Sequence, residues 1–264
     1  MSKTVVLIHG AWLTPAGWDY FKSRYEAKGF AVVAEPWPFM DAPIEQLRAS
    51  PDPRLKKLTV DQIVDHYVAI IDALPESPII IGHSFGGLIT ELLLDRGLGV
   101  AGVALDPALP AGVVPPLRML ASAAPIFAEW EGWDKILTMS FKSFAETFAN
   151  TLPETEMQAA YDTYIVPCPG RIYWQDALGI RVGLKKGNPE RAPLLLTVGE
   201  KDITVTPGAV KAAFDIQKHA PALTEFKEFP GRSHFLFHEP GWEEVADFAL
   251  DWAVRNQRAV QPAS

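Results

Sequence analysis

The chain has 264 residues, 48% of them hydrophobic and 21% charged, with a formal net charge of −8. This is the balance of a soluble globular protein able to bury a substantial core. Its scattered Lys and Arg argue against nucleic acid and against an anionic membrane as partners. The single cysteine, Cys168, cannot form an intramolecular disulfide. The opening "MSKTVVLIHG" has neither the length nor the cleavage site of a signal peptide, and no apolar run nears the roughly 18–20 residues of a membrane span. A cytoplasmic protein is expected.

Taken in order, "TVVLI" (4–8) reads as a buried strand, followed by a helical pattern over 18–28 and a second strand, "AVVAE" (31–35). A helix over 59–73 opens on Thr59-Val-Asp-Gln62, a capping box. "PIII" (78–81) is a third strand, a helix covers 84–96, and "VAGVAL" (100–105) is a fourth. After a long interruption come "PLLLTV" (193–198), a helix over 208–219 behind the Thr206-Pro207 cap, and "TEFKEF" (224–229). The alternation in that last strand suits a sheet edge. A helix over 241–256 and a frayed tail complete the chain.

Alternating strands and helices predict an α/β fold: a mostly parallel sheet of about six strands flanked by helices. Residues 1–106 and 192–258 form its core, 259–264 its tail. Residues 107–191 carry prolines, helical fragments at 143–150 and 154–163, and many aromatics, but no convincing buried strand. They are expected to be a largely helical cap over the carboxyl edge of the sheet.

At Gly82-His-Ser-Phe-Gly86 a strand pattern breaks and a helical one begins. Gly-x-Ser-x-Gly in that setting is a nucleophile elbow. The turn must be sharp enough to lift Ser84 above the sheet, and its neighbours two residues away on either side pass too close for a Cβ. The plain alternative, a turn with a solvated serine, does not explain why strand and helix meet there.

A serine hydroxyl needs a base, and the base an orienting acid. Of six histidines, His9 and His83 lie at strand ends and His66 and His219 on helical patterns. His234, in the "FPGRSHFLF" loop after the last strand, is the candidate base, with His238 structural. Asp202 follows the fifth strand; Glu200 and Asp106 are its rivals, and chain order does not exclude Asp106. For the oxyanion, the N–H of Phe85 is one donor, and Ala11 in "HGAW" (9–12) the other, with Trp12 as rival. Trp12, Phe127, Trp130 and Trp133 are expected to line the substrate pocket, although most aromatics of 107–191 should simply bury the cap. His-x-x-x-His at 234–238 lacks a third ligand, so no metal is expected.

"VVLIHGAW", "IIIGHSFGG", "LLLTVGEKD" and "FPGRSHF" together resemble the oxyanion loop, elbow, acid strand and histidine loop of α/β-hydrolase-fold serine esterases and lipases. The likeness extends to small bacterial esterases, perhydrolases and hydroxynitrile-lyase relatives. It runs from about residue 4 to 254, matches the cap by position only, and implies a triad of Ser84, Asp202 and His234. It also implies a serine hydrolase of medium-sized, mainly apolar carboxylic esters or lactones, without cofactor, with a homodimer left open. Two alternatives stand: other chemistry on the same fold (carbon–carbon cleavage, cyanohydrin lysis, cofactor-free oxygen chemistry), and more distantly a non-catalytic small-molecule receptor.

Overall fold

The computed structural model describes residues 1–258; the predicted tail, 259–264, lies outside the described residues. Six parallel strands form one sheet: β1 (Thr4–Ile8), β2 (Ala31–Val33), β3 (Ile79–His83), β4 (Ala101–Leu105), β7 (Leu194–Gly199) and β8 (Thr224–Phe229). Their spatial order is β2-β1-β3-β4-β7-β8. The inner strands β1, β3, β4 and β7 are buried at every residue, which is why they read as unbroken apolar runs. The edges differ. β2 is only partly covered and stops at Val33, and β8 alternates between exposed and covered positions.

The flanking helices are α1 (Asp19–Ala27), α2 (Ile44–Ala49), α3 (Val60–Asp72), α4 (Phe85–Asp95), α9 (Pro207–Gln217) and α10 (Trp242–Asn256). All but α2 were legible as patterns; α2 is six residues long, too short for a periodicity to register. The capping box on α3 forms as expected, with Thr59 and Gln62 serving each other's N–H groups. The Thr206 side chain does not cap α9. The N–H groups of Ala209 and Val210 instead turn to the Thr206 carbonyl, at 2.9 and 3.2 Å. α4 lies against β3 and β4 with α3 packed over it, and all eleven of its residues are buried.

Between β4 and β7 the chain runs through α5 (Leu117–Phe127), β5 (Ile136–Leu137), α6 (Phe141–Ser143), a π turn over Phe144–Phe148, α7 (Glu154–Tyr164), β6 (Cys168–Pro169) and α8 (Gly170–Ala177). β5 and β6 pair antiparallel, a two-residue ladder that composition could not announce. Polar ties bind this segment to the rest, those of Arg48, Val166 and Gln175 among them. Arg48 donates to the carbonyls of Tyr161, Asp162 and Ile165 at the end of α7. Val166 N–H donates to the Trp12 carbonyl at 2.9 Å, and Gln175 Oε1 accepts the Val60 N–H at 2.9 Å.

Candidate active site

The carboxyl ends of β1, β3, β4 and β7 converge, and every titratable residue singled out near a strand end lies there. Ser84 joins β3 to α4 with φ 54° and ψ −121°, a left-handed conformation that is strained for a residue with a Cβ. The glycines that permit it are dictated by space. A Cβ on Gly82 would stand 2.0 Å from the Gly86 carbonyl oxygen, and one on Gly86 would stand 2.1 Å from that of Ile8. Ser84 is held by its own N–H, which donates to Leu105 O at 2.9 Å. Its hydroxyl opens onto a cavity of about 760 Å³.

Asp202 and His234 are in direct contact: His234 Nδ1 lies 2.6 Å from Asp202 Oδ2, with both side chains fully buried. Asp202 Oδ1 accepts the Val205 N–H at 2.8 Å, which fixes the carboxyl plane. Burial holds the His234 imidazole far below its ordinary value, to about 3. Burial also pushes the Asp202 carboxyl up, against the pull of the Val205 and Thr204 N–H groups. The imidazole is therefore neutral, and with Asp202 as a carboxylate its proton sits on Nδ1 and leaves Nε2 as an acceptor. That Nε2 is buried and has no hydrogen-bond partner among the described residues, Ser84 included.

Neither rival for the acid is hydrogen-bonded to the His234 ring, although Asp106 lies within 4.8 Å of it. Glu200 is partly exposed, accepting from Gly231 N–H at 2.8 Å and pairing with Lys201 at 2.9 Å. Asp106 is buried, but its Oδ1 accepts the Gly199 N–H at 2.7 Å, tying the end of β4 to that of β7. It thereby steadies the turn in which Asp202 N–H donates to Gly199 O at 3.0 Å.

His83, His234 and Asp106 bring one ligand-type atom each within 4.8 Å of one another. Each ring spends one nitrogen on the protein, and His83 Nδ1, His234 Nε2 and Asp106 Oδ2 are buried with no hydrogen-bond partner among the described residues. His83 Nε2 donates to the His234 carbonyl at 2.8 Å, and His234 Nδ1 serves Asp202. The cluster thus braces the histidine loop from below. Glu239, which no motif singled out, also braces it: its carboxylate takes the Ser233 N–H and hydroxyl, and the Thr151 hydroxyl as well.

His9 organises the loop after β1. The Trp37 N–H donates to its Nε2 at 3.2 Å, so Nδ1 carries the proton that reaches Gly10 O at 2.9 Å. Burial keeps the ring neutral, its value lowered to about 4. This holds Ala11 and Trp12 beside the elbow, Trp12 with φ 68°. The N–H groups of Ala11 and Phe85 donate to no backbone carbonyl among the described residues, while that of Trp12 is directed at the Cys168 sulfur.

Trp12 and Phe127 line the cavity, together with Phe85, Leu109, Met119 and Tyr173. Trp130 and Trp133 do not. Trp130 is 78% exposed, and Trp133 packs edge-on against Trp174, 5.7 Å between ring centres, on the outer side of the segment. Tyr173, from α8, is the aromatic that closes on the elbow, 4.9 Å from the Phe85 ring and 5.6 Å from that of Trp12. Only the Pro167-Cys-Pro-Gly170 break before α8 hinted at a separate element there.

No helix among the described residues is long and apolar enough to cross a membrane. No curated protein matches the chain. Among solved structures, it superposes on a monoacylglycerol lipase of Paleococcus ferrophilus with a TM-score of 0.69 at 22% identity, covering 97% of this chain and 96% of that one. Tomato methylketone synthase I bound to 2-tridecanone gives 0.71 at 16% identity, with 97% and 100% covered. A pyrethroid hydrolase from Sphingobium faniae JZ-2 gives 0.65 at 20% identity, with 96% and 98% covered. At such identities the likeness is one of fold. The model of the alpha/beta hydrolase family matches residues 5–248, and the chain belongs to that family.

Proposed function

We propose that the protein is a serine hydrolase acting on a medium-sized, mainly apolar carboxylic ester or lactone. Ser84 is the nucleophile, His234 the base and Asp202 the acid that holds the imidazole. The observation carrying this reading is Ser84 itself: a left-handed residue at a strand–helix junction, its hydroxyl facing an apolar cavity large enough for a drug-sized molecule. Residues 107–191 act as its cap.

On binding, the Ser84 side chain turns toward Nε2 of His234, the motion this reading requires. His234 takes the hydroxyl proton as Oγ attacks the ester carbonyl. The negative charge forming on the carbonyl oxygen is received by the N–H groups of Phe85 and Ala11, each worth about 3 kcal/mol in the barrier. The protonated imidazole, stabilised by Asp202, returns its proton to the leaving alcohol. Water then repeats the sequence on the acyl-enzyme.

Hydrolysis of p-nitrophenyl esters of graded acyl length tests this. Ser84→Ala is expected to lower turnover at least about a thousandfold while the fold is kept. Undiminished turnover in that variant refutes the reading.

A second reading draws on the unpaired Nε2 of His234. It could act directly on a substrate proton with the serine as a bystander, as carbon–carbon cleavage would need. Methylketone synthase shares the fold. Product analysis separates the two, since only ester hydrolysis yields an acid and an alcohol.

A further inference from the structure

One polar side chain of the cavity has no function in the reaction above. Asp176 lines the same space as Ser84. The residue is half-buried: Oδ1 is shut from solvent without a hydrogen-bond partner, while Oδ2 keeps some exposure and is the oxygen a cavity ligand could reach. No hydrogen bond or ion pair joins it to a basic side chain: Arg171 reaches Asp134 at 3.3 Å, and Lys135 pairs with Glu129 at 2.5 Å. Burial alone pushes the Asp176 carboxyl up, to about 7, and no basic group of the protein draws it back. An unpaired carboxyl in such a place costs stability, and a core built only for packing would carry an apolar residue there.

Its position relative to the reacting atoms is set by α8. Tyr173, one turn earlier on the same helix, packs against Phe85 and Trp12, beside the elbow. Residues three apart share a helix face and are displaced by about 4.5 Å along the axis. Asp176 therefore lies one turn along α8 from Tyr173 on the same side, lining the same space. The remaining wall near it is apolar, with Met119, Ile126 and Leu178 among its residues.

We propose that Asp176 is a specificity-determining residue, accepting a hydrogen bond from a hydroxyl or protonated amine at the far end of the ester substrate. The substrate class narrows accordingly: an apolar body, a carbonyl over Ser84, and one donor group remote from it. This rests on the cavity being the substrate site proposed above.

The test compares three p-nitrophenyl esters of equal chain length (plain alkanoate, ω-hydroxyalkanoate and ω-aminoalkanoate) over a series of lengths, with the wild type and Asp176→Leu. At one length the wild type is expected to favour a donor-bearing ester over the alkanoate by about tenfold or more in kcat/KM. The hydroxy and amino arms tell which donor is taken. Asp176→Leu should abolish or reverse that preference while keeping turnover of the plain ester. If both proteins rank the three esters alike, Asp176 is a buried carboxyl with no recognition role and the proposal is overturned.

Removing an unpaired buried carboxyl should leave the fold as stable or more so; should the leucine variant not fold, Asp176→Asn with thermal denaturation takes its place. If no ester is turned over, the reading of the reaction fails, and the Asp176 proposal is decided by binding. Methyl ketones with and without an ω-hydroxyl or ω-amino group should then shift the wild-type melting temperature unequally, and that of Asp176→Leu equally. Equal shifts in the wild type overturn it.

Discussion

Ser84, Gly82 and Gly86 were legible because each residue type is forced by a distance. The Cβ that Gly86 lacks would overlap the Ile8 carbonyl at 2.1 Å, and no rotamer relieves a clash with backbone. Gly86→Ala should therefore abolish soluble folded protein or drop its melting temperature sharply, as thermal denaturation would report; a near-native melting curve would mean that β1 and the elbow can move apart. The place of the 9–12 loop was legible for a related reason, since a loop at the end of β1 has to lie beside the elbow. Asp176 was not legible. In "YWQDALG" it reads as a solvated carboxylate, and nothing local says that α8 turns it inward. Trp130 and Trp133 failed in the opposite sense: aromatic character was visible, but which side of an irregular segment each ring faces is decided by tertiary packing.

At the level of elements, the patterns worked where a helix or strand is long and has one consistent environment, as with α3, α4, α10 and the four inner strands. Between β4 and β7 they found α7, expected at 154–163, and overlapped the turns at 141–148, but missed α5, α8 and the β5–β6 pair, where short elements broken by proline offer too few turns for a period to emerge. α5 makes the contrast plain. It is as long as α4, carries Pro125 inside it, and buries none of its residues completely, whereas α4 buries all eleven. Few buried contacts and a lost backbone hydrogen bond lower the free energy of local opening. Amides of α5 should exchange with deuterium orders of magnitude faster than those of α4 when followed by mass spectrometry. Equal protection would show that α5 is held by contacts that burial does not register.

Across the whole molecule, buried titratable groups set how stability responds to pH. Glu91 on α4 is buried, accepts from Gln217 Nε2 at 2.5 Å, and is pushed by desolvation from 4.5 to about 8. A carboxyl raised in the fold holds its proton there after the unfolded chain has lost it. Its stabilising share is thus complete below about 4.5 and is lost as pH rises toward 8. Between about pH 5 and about pH 8 the urea midpoint of the wild type should decline relative to that of Glu91→Gln, the buried histidines acting alike in both proteins. Parallel declines would mean that Glu91 is not neutral in the fold.

The left-handed backbone at Trp12, Ser84 and Asp106 has one more consequence. Three such residues at the tips of neighbouring strands hold about 1–3 kcal/mol apiece in reserve, like a wound spring. What keeps it wound is the packing beneath, above all the sealed helix α4. A core substitution far below the cavity would then be felt first at its floor, as a nucleophile that relaxes before anything else unfolds.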